Sequence, residues 1–380
     1  MINKNFKKVL IIGAELKPIP PVDGGAVEQL VNYLVEENEI NIFSNLTIVS
    51  PYNRKAVEES NNFINTKFIY IKTNNIFNKL NNIIDLLLRK FLNKTFENSY
   101  IRKISKTINY NEYDLVIVEN RPSYGPVIRS LYHGKLFLHL HNDTINQKTR
   151  DVNSIIKSFN KIIVISNFLK KQIENIQHAD IDVVYNGVEL DNFYNVKPYK
   201  NGIKKLLYVG RINRDKGIIE LLRAYRNIEN NDSCLDIIGT FDLYSQKDKN
   251  FINEFNKLIK SKNINYLGYV PHNELPKYYK ETYVGIIPTI VNEALSVTAI
   301  EMLGSGIPII YSNVGGLPEV VNKKCGMSVD TNDIINNLQD SIFYLLNNTE
   351  QRNTLSSNAR LSISFFSKEE YIKNIIKIIQ

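Results

Sequence analysis

Val284-Gly-Ile-Ile-Pro-Thr-Ile-Val-Asn-Glu-Ala-Leu-Ser-Val-Thr-Ala-Ile-Glu-Met-Leu-Gly-Ser-Gly-Ile-Pro-Ile-Ile-Tyr-Ser312 reads as strand, loop, helix and strand in succession. Its ends are short, β-branched and apolar, and its middle is long enough for a helix of small and apolar residues. Glu293 is expected at the loop-to-helix junction, and Glu301, eight residues on, about two turns along the helix. A buried helix does not carry a carboxylate without a partner, so Glu301 between Ile300 and Met302 is expected to be bound. The competing readings are a favourable first-turn acid for Glu293 and a solvated side chain for Glu301.

Outward from this stretch the same alternation repeats. Apolar runs at 9–12, 46–49, 68–71, 115–118, 136–140, 162–165 and 183–185 predict a first series of strands, separated by helical patterns. A polar stretch with Pro and Gly, Asp191 to Gly202, interrupts it, and new runs follow at 206–209, 235–238, 264–267, 284–287, 307–311 and 327–329. The fold class expected is α/β, with two Rossmann-like doubly wound domains at 1–190 and 191–365. A terminal helix within 366–380 is free to pack back on the first of them. Ligands of such sheets sit at the carboxyl ends of the strands.

Composition narrows the function classes. At 380 residues, 43% hydrophobic and 23% charged, the chain is an ordinary globular protein of more than one domain. Two cysteines, Cys234 and Cys325, make neither a disulfide framework nor a thiolate zinc site, and the five histidines show no metal-ligand spacing. This suggests a reducing, cytoplasmic setting. The apolar run at Val9 to Ile12 meets Gly13 and Glu15 and is read as a strand rather than a signal peptide, and no stretch is long and apolar enough to span a bilayer.

Much of the net charge of +8 lies between Lys67 and Lys106. Within that region, residues 76–96 carry an apolar stripe at helical spacing with Lys79, Arg89, Lys90 and Lys94 outside it. A core-packed helix with a solvated basic face is one reading. Peripheral attachment to an anionic membrane surface, at the inner face of the plasma membrane, is the other. A nucleic-acid partner is not expected, because the basic stretch has no interleaved aromatics and no helix-turn-helix or zinc pattern accompanies it.

Further motifs run in a fixed order: Pro-Pro-Val-Asp-Gly-Gly-Ala-Val-Glu-Gln-Leu (20–30), Leu-Phe-Leu-His-Leu-His-Asn-Asp (136–143), Ile-Val-Ile-Ser-Asn-Phe (163–168), Val-Tyr-Asn-Gly-Val-Glu (184–189), Leu-Tyr-Val-Gly-Arg-Ile-Asn-Arg-Asp-Lys-Gly (207–217) and Val-Gly-Gly-Leu-Pro-Glu-Val-Val (314–321). Together with the two glutamates they span most of the chain. The set resembles glycosyltransferase family 4, the retaining enzymes of GT-B fold, in its bacterial surface-polysaccharide form.

Physical chemistry gives several of these residues a use. Gly24 and Gly25 before a helix allow a backbone to approach a phosphate, against the plain alternative of a structural turn. Arg211 and Lys216 follow a buried strand and can neutralise charge on a leaving diphosphate, although surface cations at a helix start remain the competing reading. His139 and His141 share one face of a strand end. Such a residue is also at home as a core histidine bonded to backbone.

The resemblance implies more specific roles. Arg211 and Lys216 are the diphosphate-binding pair, Glu293 lies against the donor sugar, Glu301 holds the ribose hydroxyls, and amides of Leu295, Ser296 and Val297 face the diphosphate. His141 contacts the donor sugar, and Asp143 is a candidate to orient either His141 or the acceptor hydroxyl. The donor is a nucleoside diphosphate sugar, UDP-sugar by preference, and the acceptor a hydroxyl on a glycan or lipid-linked acceptor. A metal-independent hexosyltransferase is implied, with no cofactor, because the two cations take the place of Mg²⁺. Glu293 is followed by Ala-Leu-Ser where many members are richer in glycine, which leaves the sugar's placement open. The alternatives are a non-catalytic GT-B partner subunit of another transferase and another GT-B enzyme, such as a nucleotide-sugar epimerase or a phosphorylase.

Overall fold

The computed structural model describes residues 6–72, 99–195, 199, 202–228 and 231–380. They form two compact units, one running to Tyr185 and taking back Ile372–Gln380, the other spanning Asn186–Tyr371. The stripe at 76–96, with Lys79, Arg89, Lys90 and Lys94, lies outside the described residues. Among the described residues no helix is long and apolar enough to cross a membrane.

The first unit is built on a seven-stranded parallel sheet of order β3-β2-β1-β4-β5-β6-β7. Its strands are β1 (Lys8–Ile12), β2 (Asn45–Pro51), β3 (Thr66–Ile71), β4 (Leu115–Glu119), β5 (Lys135–Leu140), β6 (Lys161–Val164) and β7 (Ile181–Val183). β1 is buried from Val9 to Ile12 because the sheet is covered on both faces, which is why these strands read as continuous apolar runs rather than alternating ones. The second unit has a six-stranded parallel sheet of order β10-β9-β8-β11-β12-β13. Its strands are β8 (Lys204–Val209), β9 (Ser233–Ile238), β10 (Ile264–Gly268), β11 (Thr282–Ile287), β12 (Ile309–Ser312) and β13 (Gly326–Val329).

In both sheets the chain order reverses beside the first strand, between β1 and β4 and between β8 and β11. Loops leaving neighbouring strands diverge there to opposite faces and open a crevice at the carboxyl edge.

The structure corrects the expected elements in two places. β7 is Ile181–Val183 rather than 183–185: Ile181 and Val183 pair with Ile162 and Val164. At this sheet edge Asp180 and Asp182 both receive Lys161, at 3.2 and 2.6 Å, so acids that read as loop belong to a strand margin. The helix within the opening stretch begins at Val297, not near Glu293. Leu295 and Ser296 are outside it, and Ser296 caps it with its hydroxyl accepting from the Ala299 N–H at 3.4 Å. Glu301 is therefore about one turn in.

The Asn186-Gly187-Val188 turn has a structural use within the second unit. The Val188 N–H donates to the Phe366 carbonyl at 2.9 Å and the Lys368 N–H donates to the Val188 carbonyl at 3.1 Å. A Cβ on Gly187 would lie 2.9 Å from the Lys368 Cα, so only glycine lets these segments run side by side. The last helix, Lys368–Ile379, follows directly.

Candidate active site

At the reversal point of the second sheet, the loop after β8 is stapled to the loop after β11. The Asp215 carbonyl accepts from the Ile290 N–H at 2.9 Å and from the Thr289 hydroxyl at 3.0 Å. Asn213 caps a short turn by accepting from the Lys216 N–H at 3.0 Å, and Gly217 ends it at φ 65°. A Cβ on Gly217 would lie 1.8 Å from the Pro288 carbonyl oxygen, so the glycine is what lets the loops touch. This frame carries Lys216 to Glu293, where the ammonium donates to the carboxylate; the two side chains are 22% and 14% exposed.

Arg211 is not gathered into that pair. It is exposed and, among the described residues, makes no ion pair. Its carbonyl is fixed by the Tyr208 hydroxyl at 2.6 Å, so the start of the loop is anchored while the guanidinium is left to solvent.

The Gly-Gly of Val314 to Val321 supports Glu293 from below. The Gly316 N–H donates to the Glu293 carbonyl at 2.7 Å, and the Gly315 N–H donates to the Asn292 side chain at 3.1 Å. A Cβ on Gly315 would lie 2.3 Å from the Glu293 carbonyl oxygen and one on Gly316 2.2 Å from that of Ala294. The motif is a platform on which the backbone of 293–294 rests.

Glu301 is 3% exposed and, as a buried acid requires, fully bound. One oxygen faces His272 Nε2 at 2.6 Å and the other accepts from the Tyr279 hydroxyl at 3.0 Å. Phe193 packs edge-on to His272 and at a tilt to Tyr279, closing an aromatic wall beside the carboxylate. His272 and Tyr279 belong to no motif, and sequence reasoning missed both.

The hydrogen bond to Glu301 raises the pKa of His272 above the ordinary imidazole value, against a smaller opposing effect of burial. A raised folded-state pKa means that the stabilisation is complete below the unfolded value of about 6.5 and is lost as pH rises through the folded value. His272→Gln is therefore expected to lower Tm at pH 5.5 and to converge on the unsubstituted protein by pH 8.5. Thermal melts across that range check it, and a pH-independent difference contradicts it. The ring is 69% exposed, so solvent screening keeps the effect small.

In the first unit Gly24 and Gly25 have φ of 66° and 126° and lead into the helix Ala26–Ile40 without a side-chain cap. Glu28 folds back over Gly25, where a Cβ would meet its carboxylate at 2.1 Å, while the space beside Gly24 is open. Burial raises the Glu28 carboxyl above its usual range. An anion reaching Gly25 must displace that side chain.

The crest between β4 and β5 holds what the sequence did not reveal. Glu119 pairs with His139 in register, and His141 lies two residues further on. The Glu119 carboxylate is 3.0 Å from His141 Nε2 and 3.2 Å from His139 Nδ1. Glu119 is thus an acid within hydrogen-bond reach of the His141 ring, 22 residues away in sequence. Although the histidine spacing gave no sign of it, the three residues offer ligand atoms within 4.8 Å of one another, a grouping able to hold a metal ion. Burial by itself would raise the Glu119 carboxyl, but the two imidazoles outweigh it and hold the group down to about 2. Beside it, Glu15 accepts from Arg121 at 2.6 Å and from the Tyr124 hydroxyl at 2.8 Å.

Residues 192–362 match the family model described as Glycosyl transferases group 1, and residues 29–192 match that of Glycosyltransferase Family 4. The chain belongs to glycosyltransferase family 4. Spore coat protein SA of Bacillus subtilis is 23% identical to this glycosyltransferase over 98% of both chains. An uncharacterized 41.2 kDa protein in the cps region of Klebsiella pneumoniae is 26% identical over 81% of this chain and 84% of its own. The crystal structure of Anabaena Alr3699/HepE in complex with UDP superposes with a TM-score of 0.75 at 14% identity, covering 98% of this chain and 99% of that one. The glycosyltransferase therefore has the GT-B fold, each of its units a doubly wound, Rossmann-like sheet.

Proposed function

We propose that this glycosyltransferase moves a sugar, with retention of anomeric configuration, from a UDP-sugar to a hydroxyl of a glycan or lipid-linked acceptor in the building of a surface polysaccharide. The observation that carries the donor half is the pairing of Lys216 with Glu293 and of His272 with Glu301 along one edge of one sheet. Each acid that the family pattern assigns to the donor is, without a donor, covered by a cationic or cation-forming side chain. Binding exchanges partners: the diphosphate takes Lys216 from Glu293, and the ribose hydroxyls take an oxygen of Glu301 from His272.

In the transfer step the leaving diphosphate gains negative charge. Lys216, Arg211 swinging in from solvent, and the amides of Leu295, Ser296 and Val297 at the start of the capped helix would meet it. Glu293, released from Lys216, accepts hydrogen bonds from the donor sugar, and His141 takes the sugar contact of the family pattern. In the first unit, Gly24 and Gly25 offer backbone to a phosphate of the donor once Glu28 moves off Gly25. No carboxylate is assigned as nucleophile, so a front-face mechanism in which the leaving diphosphate accepts the acceptor proton is preferred to a covalent intermediate. No metal is required, since the cations supply the countercharge. The surface-polysaccharide setting is supported by likeness to a spore coat protein and to a protein of a cps region. The uridine preference is supported by the UDP found in the Anabaena neighbour.

A thermal-shift panel of UDP, GDP, ADP, dTDP and their common sugar derivatives tests the donor class. At about 100 times Kd a ligand stabilises by about 2.7 kcal/mol. For a domain of this size that amounts to roughly 5 to 10 °C in Tm. UDP and at least one UDP-sugar are expected to give it. A shift by GDP or ADP with none by UDP refutes the uridine preference, and no shift by any nucleotide refutes the donor reading.

A further inference from the structure

We infer that Glu119 is a positioning residue for the transfer reaction: by accepting from His139 Nδ1 and His141 Nε2 at once, it sets the orientation and tautomer of His141. The inference rests on the assignment of His141 to the donor sugar made above, and it deepens that reading.

An imidazole turns about its ring torsion and moves its proton between two nitrogens, so a histidine that must meet a sugar hydroxyl needs both freedoms removed. An ionised carboxylate accepts and never donates, so any ring nitrogen facing it must carry a proton. Here one carboxylate, 2% exposed, faces Nδ1 of one ring at 3.2 Å and Nε2 of the other at 3.0 Å. The two histidines are therefore held with protons on different nitrogens, although they stand on the same face of one strand end with ring centres 4.0 Å apart.

The backbone reinforces the arrangement. Asn120, next to Glu119, adopts φ 53°, a left-handed conformation that costs a non-glycine residue free energy and persists where surroundings enforce it. In that conformation its N–H donates to the His139 carbonyl at 2.8 Å and its side-chain oxygen accepts from the His141 N–H at 3.1 Å. Residue 119 thus holds the ring of His141 while residue 120 holds its backbone. An acid serving only to fill a buried corner would not need the strained neighbour or the doubled grip.

The test uses the full-length protein with ¹⁵N-labelled histidine. Long-range ¹H–¹⁵N correlation spectra at pH 7.5 are expected to show His139 protonated at Nδ1 and His141 at Nε2. Either proton on the other nitrogen alone overturns the proposal, and this reading needs no variant. Glu119→Gln removes the negative charge and replaces one accepting oxygen with a donating amide group, so the grip on the two rings weakens and the His141 signature is expected to change. Donor turnover, followed as UDP release from UDP-glucose, UDP-galactose or UDP-N-acetylglucosamine, whichever stabilises the protein, is expected to lose kcat by about 10- to 100-fold, by analogy with the carboxylates that orient metal-binding histidines. KM for the donor and the affinity for UDP are expected to stay unchanged, and Glu119→Asp is expected to recover part of the rate.

A wild-type rate and spectrum in Glu119→Gln, with His141→Ala slow, overturns the proposal and leaves the donor reading standing. A wild-type rate in His141→Ala overturns both. Stoichiometric zinc in the purified protein, with turnover lost to a chelator, overturns the proposal by making Glu119 a ligand.

Discussion

Lys216→Ala is expected to slow turnover of the UDP-sugar by about 10²- to 10³-fold, the cost of roughly 2.7 to 4 kcal/mol typical of removing one donor aimed at developing charge. Lys216 is singled out over Arg211 by how each is held. Its backbone N–H is bound by Asn213, its loop is stapled through Asp215 to Thr289 and Ile290, and glycine at 217 brings that loop against Pro288. A charge that is already placed loses little reorganisation energy when the diphosphate's charge grows. Arg211, exposed and outside any described ion pair, must be ordered at the moment of binding, so its removal is expected to cost less.

The same Lys216→Ala change should leave the melting temperature of the donor-free protein nearly unaltered, because a partly exposed ion pair contributes only about 0 to 1 kcal/mol. It should remove most of the stabilisation by UDP. A turnover within a few-fold of the unsubstituted enzyme would show that the leaving group is neutralised elsewhere. Lys216→Arg retains the charge but not the compact ammonium, and an intermediate rate is expected.

How much of this was legible beforehand depends on whether local pattern or long-range register carries the information. The strands of both sheets were readable because each is an apolar run in a sheet covered on both faces; Val9 to Ile12 needs no partner to be recognised. β7 failed because an edge strand is half solvated, and Asp180 and Asp182 look like loop until Lys161 is placed across from them. The bound state of Glu301 was legible in kind, since a buried acid must find a partner, but His272 and Tyr279 come from a different strand-to-helix connection and only the fold brings them in. The Glu119 crest was not legible at all. The two histidines share a strand face by local geometry, but the acid joins them through the pairing of Glu119 with His139, and sheet register is a property of the assembled strands. The platform under Glu293 shows the opposite balance: Gly315 and Gly316 were conspicuous in the sequence, while their use, contact with the backbone at 293–294, is visible only in three dimensions.

Glu301→Leu is expected to weaken UDP binding by on the order of 100-fold, and the loss should be specific to the ribose. Hydrogen bonds to a charged group contribute about 1.5 to 3 kcal/mol each, so two ribose hydroxyls on one carboxylate account for at least that factor. Leucine has nearly the volume of the acid and sits among the apolar residues of the helix Val297–Gly304, so the substitution does not open a large cavity. It does orphan the Tyr279 hydroxyl, which is buried and donates to Glu301 at 3.0 Å, so a modest fall in Tm is expected and Glu301→Leu, Tyr279→Phe should recover it.

The decisive comparison is between UDP and its 2′,3′-dideoxy analogue, measured by calorimetry on both proteins. The unsubstituted enzyme should prefer UDP strongly, and Glu301→Leu should bind the two alike, because the cycle isolates the coupling between one side chain and one diol. An undiminished preference for UDP in Glu301→Leu would place the ribose on another residue and leave Glu301 as a structural acid for His272 and Tyr279. Loss of affinity for both ligands to the same degree would instead mean that the substitution has moved the aromatic wall of Phe193, His272 and Tyr279 rather than removed a contact.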